Sequence, residues 1–260
     1  MRTVLEAVIL MAGNGSRLRT AGQTLPKPLV PICGRPLISY TIEIVQKLGV
    51  RTLHAVIGAN GDSLLLALRA LVPPRICLNP IRNPNWQKQN GVSVLCAEGQ
   101  VKAPFLLAMG DHLFDRSIFE RILKGADPTR LTLAIDRKVS SIFDLEDATK
   151  VQLSGRQITA IGKKLRSYDA IDTGLFLCPN ELFAYLRRVQ IEGDCSLTDG
   201  VKRMAEEGKV DGIDIGDAWW QDIDTDAMKK RAEEILGGRN LEGGASAHPG
   251  LAAASPSDAG

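Results

Sequence analysis

The stretch that decides the fold is Ala7-Val8-Ile9-Leu10-Met11-Ala12, which runs directly into Gly13-Asn14-Gly15-Ser16-Arg17-Leu18. Six consecutive apolar residues predict a strand that is buried on both faces, as in parallel sheets. Glycines directly after such a strand let backbone N–H groups approach an anion, because no Cβ stands in the way. Pro26-Lys27-Pro28-Leu29 follows a few residues on. The guanidinium of Arg17 and the ammonium of Lys27 both suit phosphate oxygens, so the stretch predicts a polyphosphate-binding loop.

Two common nucleotide-binding loops do not fit this glycine spacing. A dinucleotide-binding loop needs a third glycine, and Leu18 stands at that position. It also needs an acidic residue at the end of the second strand, and the strand region 52–59 does not end in an acidic residue. A Walker loop needs a Gly-Lys-Ser/Thr sequence, which does not follow here. An ordinary strand-to-helix turn is the alternative for a bare Gly-x-Gly. Arg17 and the Pro-Lys-Pro segment favour phosphate binding over that alternative.

Apolar strands alternate with helical patterns through the first half of the chain. This alternation predicts an α/β fold with a mostly parallel sheet and helices on both of its faces. The predicted strands after the first are residues 53–58, 75–78 and 105–109, and the predicted helices are residues 37–48, 63–71 and 92–97.

The second half predicts a smaller mixed-sheet lobe. Short apolar runs lie close together there, and Ser154-Gly155-Arg156 has the composition of a hairpin turn. The predicted strands are residues 131–135, 150–153, 157–161 and 173–177, and the predicted helices are residues 181–189, 197–207 and 225–235. Residues 1–236 therefore form one predicted domain. Residues 237–260 are rich in Gly, Ala, Ser and Pro and are predicted to be a disordered tail.

Composition excludes several classes of protein. The 260 residues are 44% hydrophobic and 24% charged, which is typical of a globular domain. The net charge of +2 gives no strong field toward nucleic acid or an acidic membrane, so we expect no nucleic-acid partner and no membrane insertion. Five cysteines without a Cys-x-x-Cys pair favour reduced thiols and a cytoplasmic location. Glu6 interrupts the apolar N-terminal region, which argues against a signal peptide.

Three segments together resemble the signature of the sugar-phosphate nucleotidyltransferases, which join a nucleoside triphosphate to a phosphorylated sugar or alcohol. They are residues 11–18, residues 26–31 and Gly34-Arg35-Pro36-Leu37-Ile38, with Met11 where the family usually has alanine. The resemblance extends from about residue 7 to about residue 236. It implies the Rossmann-like fold of the nucleotide-diphospho-sugar transferases, with a small acceptor lobe.

The resemblance also implies roles for the residues of the opening segment. Arg17 and Lys27 would be the catalytic cations on the triphosphate. The nucleotide would be held by the loop residues Ala12, Gly13, Asn14, Gly15, Ser16 and Arg17, together with Lys27.

Two acidic positions are candidates for a metal site. The predicted strand 105–109 is followed by Gly110-Asp111-His112, and an aspartate at the carboxyl end of a buried parallel strand lies on the ligand edge of an open sheet. A turn or a helix cap is the alternative for such an aspartate. In the resembling family this aspartate and another in a Trp-x-Asp-x-x-Thr segment bind Mg²⁺. Residues 220–225 match that segment and select Asp222 over Asp224, which we expect to help cap the last helix.

The segment 85–93 is a candidate for binding the nucleobase. It is polar, contains glycine and opens a predicted helix. In the resembling family this loop contacts the base, which implies Asn90, Gly91 and Ser93 as nucleotide-binding residues. Plain helix capping by Asn90 is an equally good alternative.

Segments of the second half resemble one branch of the family, the CTP:inositol-1-phosphate cytidylyltransferases. These segments are residues 109–112, 144–151, 161–165 and 168–174. The branch implies Lys163 as a ligand of the acceptor phosphate and places Asp144, Glu146 and Asp172 near the acceptor hydroxyls. A surface charge pair is the alternative for Lys163-Lys164.

The expected reaction is therefore a Mg²⁺-dependent cytidylyl transfer between small-molecule substrates. In this branch the domain is often fused to a membrane CDP-alcohol phosphotransferase, so we expect the product to be handed to a separate membrane enzyme. Another acceptor (phosphocholine, an aminoalkylphosphonate or a hexose 1-phosphate) and a non-catalytic nucleotide sensor are the alternatives. A glycosyltransferase is a weaker alternative, since the Asp-x-Asp at 222–224 lies near the chain end rather than after an early strand.

Overall fold

The computed structural model describes residues 4–13, 25–58 and 61–243, with side chains described up to residue 238. The predicted loop residues Asn14, Gly15, Ser16 and Arg17 lie outside the described residues. So does most of the predicted tail, residues 244–260.

The described residues form thirteen strands and seven α-helices, with short 3-10 turns at Lys27–Leu29 and Val139–Ser141. The strands are β1 (Glu6–Met11), β2 (Pro31–Ile32), β3 (Arg35–Pro36), β4 (Thr52–Ile57), β5 (Cys77–Arg82), β6 (Phe105–Met109), β7 (His112–Phe114), β8 (Leu131–Asp136), β9 (Lys150–Ser154), β10 (Gln157–Gly162), β11 (Ala170–Cys178), β12 (Val210–Asp214) and β13 (Trp220–Asp222). The helices are α1 (Leu37–Lys47), α2 (Gly61–Leu71), α3 (Asn90–Leu95), α4 (Arg116–Gly125), α5 (Glu181–Val189), α6 (Leu197–Glu206) and α7 (Asp226–Gly243).

Nine of these strands form one mixed sheet in the order β5-β4-β1-β6-β11-β8-β12-β10-β9. Strands β5, β4, β1 and β6 are mutually parallel, as the alternation of strands and helices predicts. Strand β11 then runs antiparallel to both β6 and β8, while β8 and β12 are parallel. The predicted mostly parallel α/β sheet is confirmed for the first half, and antiparallel strands extend it in the second.

Helices cover both faces of the sheet, and the alternation of side chains in β1 separates two cores. Val8 and Leu10 pack in one core with residues of α3, α5 and α6. Ile9 and Met11 pack in the other with residues of α1, α2 and α4. Because both faces are covered, a continuous apolar strand is stable here, which is why the opening run of the sequence identifies the fold.

The strand order reverses between β1 and β6. The chain builds outward from β1 through β4 to β5 and then returns to place β6 on the other side of β1. In open α/β sheets a ligand crevice lies at such a point, outside the carboxyl ends of the strands. Gly13 and Asp111 follow these two strands, so both lie at that edge.

Gly110 allows the two strands to come together at this edge. Its N–H donates to the carbonyl of Leu10 at 2.9 Å. A Cβ added to Gly110 would lie only 2.4 Å from Cγ of Met11 and 2.9 Å from that carbonyl oxygen. Glycine is therefore required directly before Asp111.

A separate two-stranded ribbon joins distant parts of the chain. Strand β7 pairs antiparallel with β13, and Asp222 lies opposite His112. The N–H of Ile223 also donates to the backbone carbonyl of Asp111 at 2.9 Å. Leu113 and Ile223 anchor the ribbon in a third, smaller core.

Several elements differ from the sequence expectations. Strand β5 ends at Arg82, four residues beyond the predicted end at 78. Helix α4 and strand β12 were not predicted. The hairpin β9–β10 continues the main sheet, since β10 pairs with β12 and β9 pairs with the start of β11. Helix α7 runs to Gly243, so the predicted domain boundary at 236 falls inside a helix.

No helix among the residues that the structure describes is both long and apolar enough to cross a lipid bilayer.

Helix α3 lies unusually close to the start of α6. A Cβ added to Gly91 would lie 2.6 Å from the backbone oxygen of Cys195 and 2.8 Å from the backbone oxygen of Ser196. Backbone atoms cannot move away as a flexible side chain can. Glycine at 91 therefore serves the packing of these two helices.

We expect Gly91→Ala to lower the free energy of unfolding by about 1–3 kcal/mol, the usual cost of an overpacked site. Urea denaturation followed by circular dichroism measures the change. Gly237→Ala is the matched control, because nothing lies within 4 Å of a Cβ there and alanine favours the helix. Equal stability of the two variants would contradict the packing role.

Candidate active site

A cavity of ≈ 370 Å³ opens at the carboxyl edge of the sheet, beside the point where the strand order reverses. It brings together six of the predicted site residues from widely separated parts of the sequence. Its polar lining includes Asn90, Asp111, His112, Asp144, Asp147, Lys163, Asp172, Asp222 and Asp224. Members of the predicted metal, acceptor and base sets thus line one cavity.

The β7–β13 ribbon makes Asp111 and Asp222 neighbours. Asp222 lies opposite His112, the residue that follows Asp111, although more than a hundred residues separate the two strands. Both carboxylates line the cavity. These are the two aspartates that we expected to form a metal site, and the negative charge of Asp111 contributes to raising the pKa of Asp222.

Lys27 reaches this carboxylate group from the 3-10 turn Lys27–Leu29. Pro26 and Pro28 flank it, and their fixed backbone angles favour the tight turn. Its ammonium lies 2.7 Å from Oδ2 of Asp111 and also bonds Oδ1 of Asp224. The lysine side chain is only 10% exposed. We expect this ammonium to bind a phosphate, and in this structure, which holds no nucleotide, it contacts two carboxylates.

Asp224 is therefore a lysine partner in this structure. Thr225, the residue with which Asp224 was expected to share the capping of the last helix, accepts the N–H of Met228 on its Oγ1 at 3.2 Å.

His112 is held rigidly against Asp111. Its Nδ1 lies 2.6 Å from Oδ1 of Asp111. The ring stacks on Trp220 with centroids 5.9 Å apart and on Phe114 with centroids 5.8 Å apart. Gly174, with φ +79°, lies directly behind the ring, and a Cβ there would come within 2.9 Å of Nε2. His112 thus has a packing and hydrogen-bonding role in this structure.

The charges of this group stabilise one another. Burial alone would raise the pKa of Asp111, but His112 and Lys27 hold it well below its usual range. Burial alone would lower the pKa of His112 and that of Lys27, but the facing carboxylates raise both. Asp111 is therefore ionised at neutral pH.

Asp222 has a different environment. Burial raises the pKa of its carboxyl group, and the negative charges of Asp224 and Asp111 raise it further, against the opposing effect of His112. The charges of His112 and Lys27 oppose that rise, so this carboxyl group lies between like and opposite charges.

The predicted acceptor residues separate into two groups. Asp144, Lys163 and Asp172 line the cavity. Glu146 is not part of the described lining, and its backbone carbonyl accepts a hydrogen bond from Lys150 at 3.0 Å. Sequence reasoning missed Asp147, whose Oδ1 lies 2.5 Å from the ammonium of Lys163. Asp147 lies in the segment 144–151 that resembles the cytidylyltransferase branch, and this resemblance could have identified it as a site residue.

The predicted base-binding residues also separate. Asn90 lines the cavity, and its Oδ1 accepts the N–H of Leu197 at 2.8 Å, at the start of α6. Ser93 is 5% exposed and accepts a hydrogen bond from Asn83 at 2.9 Å, away from the described lining. Ala12 is buried and Gly13 is exposed at the end of β1.

A half-buried ion pair between Asp136 and Lys138 supports the ribbon from outside the cavity, and no sequence motif marked it. Nε1 of Trp220 donates to Oδ2 of Asp136 at 3.0 Å. The ammonium of Lys138 lies 2.9 Å from the other oxygen and donates to the carbonyl of Gly216. These bonds fix the tryptophan that stacks on His112.

An open α/β sheet with a lysine and several carboxylates gathered at its switch point is typical of enzymes that transfer nucleotidyl groups. Residues 7–192 match the family model described as the MobA-like NTP transferase domain. The match covers well over half of the chain, which therefore belongs to this family. The resemblance to nucleotidyltransferases drawn from the sequence is confirmed.

Curated relatives agree with this assignment. The bifunctional IPC transferase and DIPP synthase of Thermococcus kodakarensis is 34% identical over 233 residues, which are 89% of this chain and 50% of that protein. The protein of the same name from Aquifex aeolicus is 28% identical over 233 residues, 90% of this chain and 52% of that protein. The chain thus spans about half the length of these relatives.

Solved structures confirm the predicted fold class. The inositol-1-phosphate CTP transferase from T. maritima superposes with a TM-score of 0.81 at 25% identity, covering 92% of this chain and 97% of that one. A UDP-glucose pyrophosphorylase complexed with UDP-glucose gives a TM-score of 0.76 at 17% identity, and the superposition covers 91% of this chain and 99% of that chain. This second likeness shows the fold alone.

Asp172 generates a prediction of pH-dependent stability. Burial raises the pKa of Asp172 to about 6, although a hydrogen bond from the N–H of Gly174 and the charge of His112 oppose the shift. The folded chain therefore binds more protons than the unfolded chain between about pH 4 and pH 6. The contribution of this carboxyl group to stability is present below pH 4 and is lost as the pH rises through 6.

We expect Asp172→Asn, which cannot ionise, to raise the free energy of unfolding at pH 7.5 by about 1–2 kcal/mol, discounted for partial exposure. At pH 4 we expect no gain. Urea denaturation at the two pH values measures the difference, with Asp62→Asn on the surface as the control. A variant no more stable than the parent at pH 7.5 would contradict the assignment.

Proposed function

We propose that this chain is a Mg²⁺-dependent cytidylyltransferase that joins CTP to inositol 1-phosphate and releases CDP-inositol and pyrophosphate. The observation that carries the proposal is the single cavity in which Asp111 and Asp222 meet Asp144, Lys163 and Asp172. The names of the curated relatives and of the inositol-1-phosphate CTP transferase structure support the same activity.

The proposed reaction needs no protein nucleophile. A phosphate oxygen of inositol 1-phosphate attacks the α-phosphorus of CTP, and the bond from that phosphorus to the oxygen bridging to the β-phosphate breaks. The attacking oxygen is already ionised at neutral pH, so no general base is required. Positioning and charge neutralisation supply the catalysis.

The residues of the cavity fit a magnesium ion. Asp111 and Asp222 offer the hard oxygen ligands that Mg²⁺ prefers. Within the described ranges no three His, Cys, Asp or Glu side chains are arranged to hold a metal ion by themselves. This suits Mg²⁺, which is commonly bound by one or two carboxylates together with substrate phosphates. When bound, the ion would reduce the repulsion between the two anionic reactants.

The remaining cations would bind phosphate. Lys27 lies beside the metal carboxylates and would reach the triphosphate together with Arg17, which lies outside the described residues. Residues 12–16 would cradle the phosphates with their backbone N–H groups. Asn90 lines the cavity and is the base-contacting candidate that the described geometry supports best.

The acceptor side of the cavity suits a molecule with hydroxyl groups and one phosphate. Asp144 and Asp172 can accept hydrogen bonds from hydroxyl groups. The ammonium of Lys163, paired with Asp147, can meet a phosphate oxygen. This combination favours inositol 1-phosphate. We propose that the product passes to a membrane CDP-alcohol phosphotransferase and that the cytidylyl transfer takes place in the cytoplasm.

A substrate panel tests the proposed function. The protein is incubated with CTP, UTP or GTP and with inositol 1-phosphate, phosphocholine, an aminoalkylphosphonate or a hexose 1-phosphate, and pyrophosphate release is measured. We expect release with CTP and inositol 1-phosphate, and its loss when a chelator removes Mg²⁺.

Other outcomes identify the alternatives. Turnover of a different acceptor would retain the reaction and overturn the substrate. Tight CTP binding without pyrophosphate release for any acceptor would favour a nucleotide sensor.

We expect Lys27→Ala and Asp111→Ala each to lower kcat by several powers of ten, because the first removes a positive charge beside the triphosphate and the second removes a ligand of the proposed Mg²⁺. Steady-state kinetics measure the loss, and circular dichroism checks the fold. Asp62→Ala, which removes a surface carboxylate, is the control that keeps full activity. Activity within tenfold of the parent in either site variant would refute the assigned roles.

A further inference from the structure

We propose that the ammonium of Lys27 and the divalent cation are alternative counter-charges for the same carboxylates, so that binding of the ion releases Lys27 to the nucleotide. The inference rests on the proposed function for the identity of the ion and the nucleotide. It adds to that function an exchange step and gives Asp224 a role as the residue that holds the lysine.

The contacts of Asp111 require the exchange. One carboxylate oxygen lies 2.7 Å from Nζ of Lys27, and the other lies 2.6 Å from Nδ1 of His112. A cation that binds Asp111 from the cavity therefore approaches a carboxylate that already has Lys27 and His112 as its partners. Lys27 and a divalent ion on the same carboxylate would repel each other strongly at such distances.

Lys27 is the partner that can leave. His112 is clamped between Trp220 and Phe114 and has Gly174 directly behind it. The ammonium of Lys27 lies at the end of a flexible four-carbon side chain, which starts from the 3-10 turn Lys27–Leu29. Rotation about the bonds of that side chain can move the ammonium while the backbone stays in place.

The charge balance explains why the lysine is held in the first place. Asp111, Asp222 and Asp224 line the same cavity, and their negative charges repel one another. A nearby ammonium offsets part of that repulsion. A divalent ion carries twice the charge of the ammonium. Once it is bound, the carboxylates no longer need the lysine as a counter-charge, and the ion repels it.

The exchange couples the two ligands. A cation that binds alone must break the contacts of Lys27, so its affinity is lowered. A nucleotide triphosphate offers the released ammonium new oxygen partners, so it restores that affinity. By thermodynamic reciprocity the ion raises the affinity for the nucleotide by the same factor.

Binding of Mn²⁺ alone tests the competition. Electron paramagnetic resonance measures free Mn²⁺ against the parent protein and Lys27→Met, which keeps the stem and removes the charge. We expect the variant to bind Mn²⁺ about ten to a hundred times more tightly, the factor equivalent to one charge-assisted hydrogen bond. Lys47→Met, which removes an ammonium from the exposed pair with Glu43, is the matched control and leaves the affinity unchanged. An unchanged or weaker affinity in Lys27→Met would overturn the inference.

A second measurement uses the parent protein and does not depend on a variant that folds. Its lysines are labelled with acetic anhydride, and mass spectrometry compares Lys27 with Lys47 in the same chain. We expect Mg²⁺ alone to raise the labelling rate of Lys27 several-fold over that with a chelator, and CTP to lower it again. A rate that Mg²⁺ leaves unchanged or lowers would contradict the exchange.

The two proposals fail separately. A protein that shows the Mn²⁺ and labelling effects but turns over no nucleotide in the substrate panel would refute the proposed function and leave the exchange standing. Turnover without these effects would refute the exchange alone.

Discussion

The pairing of β7 with β13 is the constraint on which the site depends. It places three carboxylates, contributed by segments about a hundred residues apart, at one edge of the sheet. Such a cluster is unfavourable unless positive charge surrounds it. His112 and Lys27 supply that charge, and a small core around Leu113 and Ile223 holds the ribbon against the repulsion. Apolar packing around Leu113 and Ile223 thus helps to keep the three carboxylates together at the cavity.

Much of the fold could be predicted because burial leaves a direct trace in the sequence. The apolar run at 7–12 is continuous since helices cover both sides of β1, and this identified the α/β sheet. Asp111 was predictable because the end of a buried strand is a defined place in such a fold. Asp222 was not predictable from spacing alone. The prediction of Asp222 depended on the resemblance of residues 220–225 to a segment of the family.

The rest depends on contacts between distant residues, which local patterns do not contain. Nothing near Lys27 in the sequence indicates that its ammonium lies on Asp224, since the two are 197 positions apart. Local sequence also did not show that the hydroxyl group of Ser93 is buried and accepts a hydrogen bond from Asn83, which is not part of the described cavity lining. Strands β9 and β10 resembled a separate lobe because hairpins are recognised locally, whereas their attachment to β12 and β11 is a tertiary event.

The edges of the nine-stranded sheet have a consequence for behaviour at high concentration. At one end β9 pairs with β10 and also with the start of β11, so its backbone groups are largely occupied. At the other end, within the part of the chain that the structure describes, β5 pairs with β4 alone and contains Pro80. Proline lacks an N–H and interrupts any strand that attempts to add there. The sheet therefore offers a poor template for edge-to-edge association, which protects the molecule from aggregation in the crowded cell.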